Sequence, residues 1–200
     1  MSADSRPRRG RPGHDRDQVL AVAVQLFNEQ GYDATSVADV AARLGLTKSA
    51  LYHHFASKQE LLRLALDAAL DALEEVLDRT LAEPGTASDH LRQVVRGAVD
   101  VLTARQPSVT LLLRVRGNTD VEQEALRRRR AFDQRVTALV RAAQDEGLVR
   151  ADIDAAVATR LVFGMVNSLV EWYRPDGAVD PDELARDVLA VALDGLQSPR

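Results

Sequence analysis

The sequence predicts an all-α fold, and three observations carry that prediction. Alanine and leucine are abundant, aromatics are few, and strand-like alternation of Val, Ile and Thr is nearly absent. Apolar residues recur instead at three- and four-residue spacing, the period of one helix face. Glycines and prolines fall between these periodic stretches, where helices stop. About nine helices follow from this pattern.

Residues 1–14 are rich in Arg, Pro and Gly and lack apolar periodicity. They read as a flexible basic arm: either Arg6, Arg8, Arg9 and Arg11 reach phosphates or a minor groove, or the arm is a solvated tail. The first helix runs from about Arg16 to Gln30, with Val19, Val22, Ala23, Leu26 and Phe27 as its apolar stripe. Gly31 ends it, since glycine enters the left-handed conformation cheaply.

Thr35 or Ser36 caps the second helix by accepting an orphan backbone N–H. Val37, Val40, Ala41 and Leu44 share its buried face, and Gly45 stops it. Thr47 caps a third helix. Lys48 and Tyr52 lie four apart, as do Ser49 and His53, so they share one side; Leu51 and Phe55 take the other. Two short helices joined by a tight turn make either a helix-turn-helix, whose second helix enters a DNA major groove, or an ordinary helix pair in a core. A polar, basic and aromatic side opposite an apolar one favours the first.

Ser57 is placed to cap the fourth helix, with Glu60 completing a capping box. Leu61, Leu62, Leu66, Leu70, Leu73 and Leu77 continue it until Pro84-Gly85. Further helices are expected at about 88–105, 107–116, 121–146, 154–174 and 181–197. The run Arg127-Arg128-Arg129-Arg130 covers all sides of its helix, and is read as a solvated face with salt bridges rather than a second DNA contact.

Composition narrows the function. The formal net charge is −4. Residues 1–60 hold 8 Lys/Arg and 7 Asp/Glu, and the remainder 18 and 23: a weakly positive end on an acidic body. There is no cysteine, hence no disulfide, thiolate metal site or cysteine nucleophile, which agrees with a reducing cytoplasm. No apolar run approaches the roughly 20 residues that span a bilayer, and no hydrophobic stretch follows the N-terminal arginines as in a secretory signal. A Gly-rich phosphate loop, Gly-x-Ser-x-Gly and a clustered His/carboxylate set are all missing, so an enzyme is not expected. His53 and His54 are adjacent on a helix and diverge by about 100°, which argues against a metal pair.

From about Asp17 to Leu62 the sequence resembles, without a gap, the N-terminal DNA-binding domain of the TetR family of bacterial transcriptional regulators. The most specific stretch is Leu51-Tyr52-His53-His54-Phe55 followed by Ser57-Lys58-Gln59-Glu60-Leu61. The remaining residues match in helical layout and length. The resemblance implies an arm at 1–14, a DNA-binding domain at 15–60 and a ligand-binding and dimerisation domain at 61–200. It puts Lys48, Ser49 and Tyr52 on or near the DNA-facing surface, with Thr47 at the start of that helix. It gives His53 and His54 phosphate contacts, His54 the favoured one. Thr35 would take a phosphate at the start of the preceding helix, and Lys58 is the matching phosphate-binding lysine.

The same resemblance implies a homodimer through the last two helices. Val157, Leu161, Met165, Leu169 and Trp172 stripe one, and Leu184, Val188, Val191, Ala192 and Leu196 the other; the stripes alone fit closure of the monomer's own core equally well. A small-molecule pocket is implied too, with Leu112, Arg116, Phe132, Phe163, Asn167 and Trp172 as candidates. The mid-helix amide of Asn167 needs a partner, either ligand, water or the opposite subunit. Glu171-Trp172-Tyr173-Arg174-Pro175-Asp176-Gly177 resembles a run in a branch of the family that senses acyl-CoA thioesters or related organic acids, and Arg114, Arg116 or Arg174 could pair with such an anion. The resulting expectation is a cytoplasmic repressor that binds a palindromic operator as a dimer and is released by a small molecule. The alternative is a regulator without such an effector, controlled by a protein partner or by abundance. No cofactor, metal or membrane is implied.

Overall fold

Hydroxyl and carboxylate side chains write most of the helix starts in this chain. The computed structural model describes residues 16–194. The arginine arm, Leu196 and the expected helix end at 197 lie outside them. The described residues form helices α1 (Arg16–Gln30), α2 (Val37–Arg43), α3 (Lys48–Tyr52), α4 (Lys58–Ala82), α5 (Ala87–Ala104), α6 (Gln106–Arg114), α7 (Asp120–Asp145), α8 (Ala155–Trp172) and α9 (Pro181–Asp194), and no strand. Ser36, Thr86 and Thr119 each form a reciprocal capping box, with Asp39, Asp89 and Glu122. Bonding to the Ser36 and Thr86 groups holds the Asp39 and Asp89 carboxyls below the usual carboxylate range. Asp154 caps α8 through Ala156 and Val157.

The chain divides into two compact units, one ending at Leu61 and the other starting at Leu62. The first buries Val19, Ala23, Leu26 and Phe27 of α1, Val37, Val40 and Ala41 of α2, and Leu51, Phe55 and Leu61. Gly31 and Gly45 close α1 and α2 with φ of 91° and 64°, where a β-carbon is strained. At the start of α4, Ser57 accepts the Glu60 N–H at 3.1 Å. Glu60 reaches back to the Ala56 N–H at 2.6 Å rather than to Ser57, so the expected capping box is shifted by one residue. Its other oxygen meets Arg16 at 3.0 Å, and that guanidinium lies 5.1 Å from the centre of the Phe55 ring.

In the second unit α5 packs on α6, α7, α8 and α9. Its apolar face of Leu91, Val94, Val95, Ala98, Val99 and Leu102 is buried. Two polar ties brace this bundle. The Glu146 carboxylate accepts the Ala87 N–H with both oxygens, at 3.0 and 2.9 Å. The Gln106 amide donates to the Tyr173 carbonyl at 3.0 Å, past the end of α8.

The arginine run resolves into separate tasks. Arg127 pairs with Glu124 on its own helix. Arg128 reaches across to α4 and meets Asp67, Asp71 and Glu74 at 2.9, 2.5 and 2.6 Å. Hydrogen bonds to Glu74 and Asp71 raise the pKa of its guanidinium and hold it charged. Burial pushes the Asp67 carboxyl up even so. One turn pair further along, Arg135 meets Asp78 at 2.6 Å. Two arginines seven residues apart thus face four acids spread over three turns of α4, a charged seam where bundles usually place an apolar one.

Among the described residues no helix is long and apolar enough to cross a membrane, and no cluster of His, Cys, Asp or Glu could hold a metal ion. α5 meets the side chain of Val76 on α4 at a glycine. A β-carbon on Gly97 would sit 2.4 Å from Cγ1 of Val76. Gly97→Ala should therefore destabilise the protein by roughly 1–3 kcal/mol through overpacking, although alanine gains up to about 1 kcal/mol of helix preference. Urea unfolding checks this; a more stable variant would show that the two helices separate freely.

Candidate nucleic-acid interface

The loop between α1 and α2 has no helix or sheet to satisfy its carbonyls, and buried ones must find donors. Two side chains supply them. Thr35 is 1% exposed, and its hydroxyl lies 2.8 Å from the Gly31 carbonyl and 3.3 Å from that of Leu26. Lys58 sends its ammonium inward, donating to Tyr32 O at 2.8 Å and Thr35 O at 2.9 Å. It lies 4.1 Å from the centre of the Tyr32 ring, whose edge-to-face partner is Phe27 at 5.2 Å. These bonds place two of the expected phosphate-contact residues facing inward. Thr35 is turned into the core rather than toward a phosphate, and Ser36 does the capping. Lys58, expected on a phosphate, is occupied in tying the loop to α4.

On that support α3 presents two opposite sides. Leu51 and Phe55 are buried against the core. Thr47, Lys48, Ser49, Tyr52, His53 and His54 are exposed, and Tyr52 retains 45% of its surface. Thr47 accepts the Ala50 N–H at 3.2 Å, so its hydroxyl also caps the helix. The Lys48 ammonium stands 5.9 Å from the Tyr52 ring centre, which sets a cation and a phenol side by side. A short helix with one dry side and a lysine, a serine, a tyrosine and two histidines outward offers donors to base edges and phosphates alike.

The second unit distributes the expected pocket residues differently. Phe132 and Phe163 pack edge-to-face at 5.6 Å. Leu112 is buried, Asn167 half-buried, Arg116 exposed, and Trp172 keeps 51% of its surface. Hollows do open nearby, with other linings. One of about 400 Å³ lies between α4 and α5, around Glu75, Arg79, Arg96, Gly97, Asp100 and Arg105. One of about 480 Å³ lies between α7 and α8, around Arg130, Asp133, Thr137, Arg141, Thr159 and Arg160. Helical spacing gave no sign of either, because both are walled by residues whose pattern reads as solvated surface. The expected dimer stripes also divide. Leu169, Leu184, Val188 and Ala192 close the protomer's own core, while Val157, Leu161, Trp172 and Val191 stay exposed, Leu161 by 63% and Val191 by 67%.

Residues 19–65 match the family described as bacterial regulatory proteins, tetR family, and residues 84–196 match the tetracyclin repressor-like C-terminal domain. The chain is 30% identical to the HTH-type transcriptional repressor KstR2 of Rhodococcus jostii, covering 92% of each. Its fold superposes on SCO3833, a TetR-family regulator of Streptomyces coelicolor A3, with a TM-score of 0.84, 51% identity, and 90% and 91% of the two chains covered. The structure of AibR in complex with isovaleryl coenzyme A and operator DNA superposes with a TM-score of 0.74 at 25% identity, covering 88% of this chain and 96% of that one.

The two lysines should separate in a stability measurement. Lys58→Met removes a donor from the Thr35 carbonyl and leaves Tyr32 O with the Thr35 N–H, and should cost about 1–2 kcal/mol in urea unfolding. Lys48→Ala, at an exposed position, should stay within about 0.5 kcal/mol of the parent. Equal effects would mean that Lys58 does not hold the loop.

Proposed function

The chain belongs to the TetR family of bacterial regulatory proteins and is a DNA-binding transcriptional regulator; from that premise we propose that it is a cytoplasmic repressor acting as a homodimer on a two-fold operator. The observation that carries the reading is the exposed polar side of α3, fixed by Leu51 and Phe55 in the core. Lys48, Ser49 and Tyr52 address bases and nearby phosphates, and His53 and His54 add backbone contacts. One such helix covers only a few base pairs. Specific binding then requires two copies on half-sites a helical turn apart or a multiple of it.

The dimer forms through α8 and α9. Val157, Leu161, Trp172 and Val191 are large apolar side chains left open on the two helices, and an isologous contact buries such a patch on both subunits at once. The effector is a small anionic molecule of the acyl-CoA or organic-acid type. That reading is supported by the run 171–177 and by the fold shared with a regulator solved with isovaleryl coenzyme A. A second reading, a regulator with no small-molecule effector, is favoured by one observation: Phe132 and Phe163 fill the space between them with each other.

Fluorescence anisotropy on the DNA flanking the protein's own gene, at fixed salt, with and without a panel of acyl-CoA thioesters, tests both readings. Tight, sequence-selective binding released by one thioester is expected. Binding that none releases discards the effector class and keeps the regulator. Weak binding to every sequence, abolished by salt, removes the operator reading for that DNA. Lys48→Ala should lower the slope of log K against log salt by about one, whereas Lys58→Met should weaken binding with the slope unchanged. Leu161→Asp should shift the protein toward monomer in sedimentation and reduce operator affinity with it.

A further inference from the structure

The ion pairing of the second unit is uneven. Arg96, Arg127, Arg128, Arg135 and Arg150 each meet a carboxylate. Arg130, Arg141 and Arg160 do not: among the described residues none of them has a hydrogen bond or an ion pair. All three line the one hollow of about 480 Å³ between α7 and α8. Three guanidiniums share it with a single carboxylate, Asp133, on a body whose formal balance is otherwise acidic. Like charges gathered around a concave surface repel one another and focus a positive potential into it. Asp133 offsets it only in part, through its attraction to Arg160.

The remaining lining has the opposite hydrogen-bonding character. The Thr137 hydroxyl lies 2.8 Å from the Asp133 carbonyl, and the buried Thr159 hydroxyl 2.8 Å from that of Ala155. The two oxygens are 3.2 Å apart. The two hydroxyls are thus bonded to each other and to backbone carbonyls, and the Asp133 carboxylate is the acceptor of the lining. The hollow joins fixed cationic donors to that one acceptor, within the size range of small-molecule sites.

We propose that the hollow between α7 and α8 is a binding site for an organic phosphate that also carries an N–H or O–H donor. Arg130, Arg141 and Arg160 take the phosphate oxygens, since the guanidinium fork matches phosphate geometry and stays charged. Asp133 takes the donor and disfavours a bare anion lacking one. The site deepens the reading of this unit as the effector-binding part, but does not depend on an acyl chain or on DNA.

The test is calorimetric titration of the full chain, without DNA, at about 0.15 M salt, where loose surface attraction is screened. ADP is the probe and adenosine the uncharged control. One ADP per chain is expected, with adenosine at least about tenfold weaker. Arg130→Gln/Arg160→Gln should weaken ADP at least about tenfold. The unliganded melting temperature of that variant should change little, because neither side chain has a hydrogen bond to lose and Arg160 gives up only its attraction to Asp133; Arg141→Gln gives a second, single variant with the same expectation. ADP binding no tighter than adenosine overturns the proposal, as it would if a second copy's carboxylates occupied the hollow. ADP binding unchanged in both variants also overturns it, placing the anion elsewhere, such as at the exposed side of α3. Operator binding of the unliganded double variant is measured alongside: its loss would count against the DNA reading, and its retention leaves the ADP result to stand alone.

Discussion

The first unit of this protein depends on satisfying a handful of loop carbonyls. Between Gly31 and Ser36 the chain leaves one helix and enters another without regular structure, and the carbonyls it turns inward need donors. Thr35 and Lys58 provide them, Thr35 from within the loop and Lys58 from the start of α4. Everything outward follows from that closure. The loop fixes where α2 begins, the contact of α2 with α3 fixes the third helix, and Leu51 and Phe55 decide which side of it stays wet. A charged ammonium suits the task because it has three donors and a long stem that reaches two carbonyls past an aromatic ring.

The second unit solves a related problem with charge. Arg128 is shared among three α4 carboxylates, so ordering one side chain supports several contacts. The individual pairs are partly exposed and each contributes little. Their value is positional: the spacing of acids on α4 matches that of arginines on α7, and a register shift of one residue would break the match. The close passage of Gly97 over Val76 fixes α4 against a different neighbour. These contacts add position to a helix whose other face is already buried through Leu62, Leu66, Leu70 and Leu77.

Local chemistry made the helices legible. Gly31, Gly45, Thr47, Ser36 and Ser57 act over three or four residues, and a sequence displays that range directly. The run from Leu51 to Leu61 was equally plain, and it led to the family. Longer-range facts were not available to the same reasoning. Two adjacent hydroxyls, Thr35 and Ser36, are equivalent as caps until the fold buries one of them. The partners of Lys58 lie 26 and 23 residues upstream, so its inward turn has no local signature. Apolar spacing marked both Leu169 and Leu161 as stripe residues, yet only packing tells that one closes the protomer and the other faces out. Aromatic residues were natural pocket candidates, but Phe132 and Phe163 chose each other.

The helix α3, proposed above to read DNA, is only five residues long, and the two sides of the stretch from Lys48 to Phe55 share almost no duties. Leu51 and Phe55 serve folding, while Lys48, Ser49, Tyr52, His53 and His54 project outward. Exchanging side chains on such an outward surface costs a domain little. A duplicated gene could therefore acquire a new DNA address through a few codon changes, each intermediate still folding. The same separation makes the position a natural graft point, where one regulator's address could be written onto another's scaffold.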